Sequence, residues 1–205
     1  MPEFAFLHAL HRNPLLLSLL HELFGGPDFR FCSHNDIGID RAVTWHKDKL
    51  NNEYAHFQTS PLWPHEPGQG HFIVKVAIYL QDHTADSNAL KLVPRSHMDP
   101  CIRDVGARAL HPRKGSVVIF EQRITHRGQP LSSREGRVLI SLGYGRRNKW
   151  TDEFELGTRE RQKDNAMCQM RVRQWLRKHE GRKANGTTGA ALYSTRANVG
   201  GHSAH

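Results

Sequence analysis

The hydrophobic period of the chain changes at Phe29, and this change restricts the fold more than any other feature. Before it, Phe6, Leu7, Leu10, Leu15, Leu16, Leu19, Leu20 and Leu23 recur near the helical period, so residues 3–24 read as helix. After it the apolar runs are short: Phe29–Cys32, Ala42–Trp45, Phe72–Leu80, Ala89–Val93, Ser116–Phe120 and Val138–Tyr144. Gly, Pro, Asn and Asp punctuate the segments between them, as they do between strands. Many short strands without alternating helices predict a β-sandwich or closed barrel rather than a parallel sheet of βαβ units.

Local signals set the remaining boundaries. Asn13-Pro14 divides the first helical stretch, with Asn13 as cap and Pro14 at the first position of the second piece, and Gly25-Gly26-Pro27 ends it. The Pro- and Gly-rich stretch from His56 to His71 has the length of a lid or binding loop and carries Trp63 and His65. A basic segment, Thr158–His179, reads as helix, with Met167, Met170, Val172, Trp175 and Leu176 as its apolar members. Gly181–His205 is made of Gly, Thr, Ser, Asn and Ala and reads as a disordered tail. The expected organisation is one domain over 1–180: N-terminal helices at 3–24, a β core at about 29–150 and a basic helix at 158–179. The tail 181–205 follows, and the chain has no internal repeat.

Composition excludes several classes. Of 205 residues, 38% are hydrophobic and 24% charged, a balance that suits a folded globular chain. No apolar run has the length of a membrane span, and no secretion signal opens the sequence, so a cytoplasmic protein without a membrane partner is expected. Cys32, Cys101 and Cys168 are odd in number and widely spaced, which predicts buried or half-buried reduced thiols rather than disulfides or a zinc knuckle. The formal charge of +9 comes largely from Arg159–Lys183, and a solvated helix face accounts for it.

Fifteen histidines are present, and two of them stand apart. Trp45-His46-Lys47-Asp48 closes a predicted strand, where residues two apart face the same side, so an imidazole and a carboxylate can meet one metal. About 80 residues later the apolar run Gly115–Phe120 leads through a polar loop to Thr125-His126-Arg127-Gly128. Two histidines and one carboxylate leave metal positions open, the ligand pattern of non-haem iron(II) oxygenases. Arg137 follows His126 by eleven residues and opens the strand Val138–Leu142, where a guanidinium can clamp a carboxylate through two parallel hydrogen bonds.

The ordered set resembles the phytanoyl-CoA dioxygenase family over roughly Arg41 to Tyr144. The residues that carry the resemblance are Trp45-His46-Lys47-Asp48, the Val76–Asp82 strand and turn, Asn88–His97, Gly115–Phe120, Thr125–Gly128 and Gly136-Arg137. It departs at Ala89 and Leu90, where the family has Gly-Pro-Leu, at Arg95, where a turn glycine is usual, and at Ser116, where aspartate is usual. The stretch before Trp45 is short for the family. The resemblance implies a double-stranded β-helix, a jelly roll with the metal inside one open end. It implies Fe(II) held by His46, Asp48 and His126, 2-oxoglutarate as cosubstrate with Arg137 on its far carboxylate, and O₂ as oxidant. The expected reaction is hydroxylation of a small molecule, with release of succinate and CO₂.

Further contacts are candidates only. Lys75 and Tyr79 share one face of a predicted strand and could reach the cosubstrate; Trp63, His65 and Arg123 could touch substrate. Arg95 and Arg127 could greet an anionic group, Lys47 reads as structural or solvated, and His97 reads as structural. Two alternatives stay open: a jelly-roll metal enzyme that does not use 2-oxoglutarate, and a module that grips nucleic acid or an acidic partner through the basic segment. Nucleic acid is not the expected partner, and the oligomeric state is left open.

Overall fold

The computed structural model describes residues 9–39, 43–63, 70–83, 90–128 and 138–180, without the side chains of 33, 34, 39, 168, 169 and 171–180. His65, Arg137, the start of the first helical stretch and the expected tail 181–205 lie outside the described residues. Two compact units divide the chain, 1–164 and 165–205. In the second, the described residues are helical.

Helix α1, Pro14–Phe24, starts where the sequence predicts. The Asn13 side chain accepts hydrogen bonds from the Leu15 and Leu16 amides, and Gly25 ends the helix in the left-handed conformation at φ 71°. Among the described residues eight strands follow: β1 Phe29–Ile39, β2 Val43–His46, β3 Ile73–Tyr79, β4 Leu90–Leu92, β5 Arg108–Leu110, β6 Val117–Glu121, β7 His126–Gly128 and β8 Val138–Arg146. They form two four-stranded sheets, ordered β1-β8-β3-β6 and β2-β7-β4-β5. All the recorded pairings are antiparallel. This is the sandwich form of the expected jelly roll; among the described residues the sheets do not close into a barrel.

The central strand β3 organises the core by its period of two. Val74 and Val76 join Leu20, Phe24, Ile140, Leu142 and Tyr144 in a cluster against α1. The opposite row, Ile73, Lys75, Ala77 and Tyr79, faces the other way. Ile73 packs with Cys32, Leu50 and Phe154. Ala77 and Tyr79 pack with Leu90 and Phe120.

Three expectations are corrected. Strand β1 runs seven residues beyond Cys32, because β8 supplies a ladder for its polar half after a register shift between Cys32 and Asp36. The last helix, α2 at Lys149–Glu180, begins nine residues before the expected Thr158. Its buried face in the first unit is Thr151, Phe154, Glu155 and Thr158, a helical spacing in which polar residues hide the signal. Cys101, expected as a buried or half-buried thiol, is exposed, and the apolar helix members Met167 and Met170 are exposed as well. Gly157 sits so close to Leu50 that a Cβ there would collide with Leu50 Cδ1.

Arg95 occupies the place where the family usually has a turn glycine, and it keeps the glycine's geometry at φ 65°. A side chain in the left-handed region costs about 1–2 kcal/mol, part of which glycine loses again through the freer unfolded chain. Arg95→Gly is therefore expected to stabilise the protein by about 0.5–1 kcal/mol, measured by urea unfolding at unchanged slope.

Candidate metal centre

Two neighbouring strands deliver the histidines. His46 is the last residue of β2, and His126 is the first of β7, not a loop residue as the sequence suggested. The two stand directly opposite each other in the antiparallel register. Cross-strand partners share a face, and the ring centroids are 4.2 Å apart. Asp48 lies two residues beyond β2, where its amide donates to the Gln122 carbonyl at 2.9 Å. One ligand atom from each of His46, Asp48 and His126 lies within 4.8 Å of the others.

Both imidazoles are oriented in the same way. His46 Nδ1 is 2.7 Å from the Thr44 carbonyl oxygen, and His126 Nδ1 is 2.8 Å from that of Ile124. A carbonyl can only accept, so each Nδ1 carries a proton, and the neutral ring then presents its lone pair at Nε2. Those nitrogens converge on one carboxylate: His46 Nε2 is 3.4 Å from Asp48 Oδ1, and His126 Nε2 is 3.7 Å from Oδ2. Burial pushes the His126 imidazole down to about 4, against the pull of Asp48, which keeps it neutral and able to ligate near pH 7. Asp48 and His126 are buried, whereas the His46 side chain is 30% exposed, so the set opens to solvent on the His46 side. The donor set suits a divalent ion that takes two imidazoles and one carboxylate.

The other candidates separate by environment. Lys75 Nζ lies 2.6 Å from Asp48 Oδ2, inside the same cluster. Tyr79 is buried on the same row of β3 and meets the His83 ring edge-on at 4.9 Å. Trp63 donates from Nε1 to the His97 carbonyl at 2.7 Å, with Lys47 and Arg123 over its ring. Arg127 stacks over Trp45 at 5.0 Å. Lys47 is buried rather than solvated, and donates to the Ser96 and Arg123 carbonyls at 2.6 and 2.8 Å.

Arg123 belongs to a buried network that the sequence reading missed. Its Nε donates to Glu121 Oε1 at 2.8 Å and its Nη1 to the Leu62 carbonyl at 2.8 Å. His71 Nδ1 is 3.1 Å from the same Glu121 oxygen, and Gln122 Nε2 is 2.9 Å from His71 Nε2. This turn connects β6 to β7 and also accepts the Asp48 amide through Gln122, so it ties the carboxylate ligand to the strand that carries His126. The run Glu121-Gln122-Arg123 directly after an apolar strand was a usable signal, but its partner His71 is fifty residues away.

Comparisons with known proteins agree with this fold. A computed fold likeness links the chain to EvdO2 from Micromonospora carbonacea var. aurantiaca, solved with 2-oxoglutarate: TM-score 0.53, 14% identity, covering 70% of this chain and 64% of that one. A second is to a non-heme monooxygenase, the ThoJ–nickel complex, with TM-score 0.51 and 17% identity over 67% of this chain and 51% of that one. A third is to apo HygX from Streptomyces hygroscopicus, with TM-score 0.52 and 16% identity over 72% of this chain and 69% of that one. The chain thus spans about half the length of ThoJ and under two thirds of EvdO2. At these identities the likeness shows the fold. No curated protein matches the sequence. Among the described residues, no helix is long and apolar enough to cross a membrane. The phytanoyl-CoA dioxygenase model matches residues 2–138, a span that contains β1 to β7 and all three converging side chains, and the chain belongs to the phytanoyl-CoA dioxygenase family.

Proposed function

We propose that this chain is an iron(II)- and 2-oxoglutarate-dependent oxygenase that hydroxylates a small molecule and releases succinate and CO₂. The observation that carries the reading is the matched pair of histidines, each with Nδ1 on a carbonyl two residues back and Nε2 aimed at Asp48. His46, Asp48 and His126 would hold the metal, and the bound metal would supply the oxidation chemistry. The protein's share is orientation: β2 and β7 carry the two rings, and the Glu121–Thr125 turn holds the backbone of Asp48. We assign the catalytic domain to residues 1–180 and treat 181–205 as a tail. An anaerobic titration with Fe(II) and 2-oxoglutarate, followed by a metabolite screen for substrate-stimulated succinate, tests the reading. Iron binding without any 2-oxoglutarate binding would favour a jelly-roll metal enzyme of another kind.

Arg137 is proposed to hold the far carboxylate of 2-oxoglutarate. A bidentate guanidinium–carboxylate contact contributes about 3 kcal/mol. Arg137→Ala is thus expected to weaken 2-oxoglutarate binding about 100-fold while metal affinity stays within about threefold. Equal losses of both would place Arg137 in the fold rather than at the cosubstrate.

A further inference from the structure

Lys75 is the one charged residue on an inward row that otherwise reads Ile73, Ala77 and Tyr79. It stands between Phe120 on β6 and Gly143 on β8, and its side chain is 14% exposed. A lysine on such a row is costly unless it meets an anion. The anion it meets is Asp48, and the contact is to Oδ2 at 2.6 Å.

That choice of oxygen matters for a metal at this site. A carboxylate can chelate through both oxygens and fill two coordination positions, or bind through one and fill one. With two histidines, three positions stay open only in the second case, and a bidentate cosubstrate plus a further ligand need all three. Asp48 Oδ1 faces His46 Nε2 at 3.4 Å; Oδ2 faces His126 Nε2 at 3.7 Å and lies closer still to the Lys75 ammonium, at 2.6 Å. The backbone of Asp48 is held separately through Gln122, so Lys75 is not needed to place the residue.

We propose that Lys75 is a positioning residue that restricts Asp48 to single-oxygen ligation and so keeps a metal position open for the cosubstrate. This rests on the function proposed above. It predicts effects of opposite sign. Without the ammonium, Asp48 is free to chelate through both oxygens and the repulsion between cation and metal is gone, so metal binds more tightly. The same change fills a position that 2-oxoglutarate needs, so the cosubstrate binds more weakly.

The test is Mn(II) binding to the full chain by paramagnetic relaxation or calorimetry, then 2-oxoglutarate binding to the Mn(II)-loaded protein, for wild type, Lys75→Met and Lys75→Arg. Lys75→Met is expected to bind Mn(II) about tenfold more tightly and 2-oxoglutarate about tenfold more weakly, in the range of changes around a metal's ligands. Lys75→Arg, which keeps a cation on Oδ2, is expected to restore both to within about threefold of wild type. If Lys75→Met does not fold, Lys75→Gln takes its place with the same expectations. Unchanged or weaker Mn(II) binding in the neutral variant overturns the proposal, and weaker 2-oxoglutarate binding alone would make Lys75 a direct cosubstrate contact. A wild-type protein that binds no Mn(II), or binds it equally after Asp48→Asn, overturns the proposed function itself, and with it this role for Lys75.

Discussion

Asp48→Ala is expected to reduce substrate-stimulated succinate release to background and to weaken divalent-metal binding by more than about 100-fold, beyond what loss of an outer-shell partner causes. Asp48 supplies the anionic donor toward which both Nε2 atoms converge. Without it, a doubly charged ion would meet two neutral imidazoles and the ammonium of Lys75 in a buried setting, where repulsion is poorly screened. Asp48→Asn keeps the shape and removes the charge. It is expected to lose most of the same affinity, which separates the charge from the packing. Both variants are checked by thermal melting, because the lost carboxylate also takes the Asp48 charge away from Lys75. Full turnover in either variant, at wild-type metal content, would remove Asp48 from the metal site.

The parts of this site that could be read from sequence are the parts whose geometry is local. Residues two apart at a strand end share a side whatever the fold, so His46 and Asp48 could be paired on sight. The Asn13–Pro14 helix start was equally legible, because a cap acts within one turn. Pairing His126 with His46 required the family pattern, since nothing within β7, three residues long, announces a strand. The polar half of β1 was hidden for a related reason: Ser33, His34, Asn35, Asp36 and Gly38 carry turn chemistry, and β8 overrides it by offering backbone partners. Helix α2 began earlier than expected because its buried face near the start uses Thr151 and Thr158 beside Phe154, where an apolar stripe would be the signal. The contact between Lys75 and Asp48, like that between His71 and Glu121, joins distant positions and exists only once β3, β6 and the β2 end are brought together. Ionic partners in a core carry no periodicity, so hydrophobic patterning is blind to them.

Glu121→Gln tests how much the fold depends on one such contact. Glu121 is buried, and its carboxylate meets the Arg123 guanidinium at 2.8 Å and His71 at 3.1 Å. Burial alone would push the Glu121 carboxyl up, but His71 and Arg123 outweigh burial and hold it below its usual range. The amide keeps the shape and removes the charge, leaving a guanidinium that is 4% exposed without its anion. Breaking a buried pair on one side costs about 3–5 kcal/mol. For a chain of this size about 3 kcal/mol lowers the melting temperature by about 6–12 °C. The pH dependence carries the sign. A carboxyl whose folded value lies below its unfolded value of about 4.3 stabilises the protein fully above that value. The contribution fades as the pH falls through the lowered folded value. The gap between wild type and Glu121→Gln is therefore expected to be full at pH 7 and to narrow below about pH 4.3, in urea unfolding at each pH. Because the turn that Glu121 anchors also accepts the Asp48 amide and leads into His126, metal affinity is expected to fall about tenfold in the same variant. A variant as stable as wild type at pH 7 would mean that Arg123 finds another counter-charge, and that the turn is held by its backbone bonds alone.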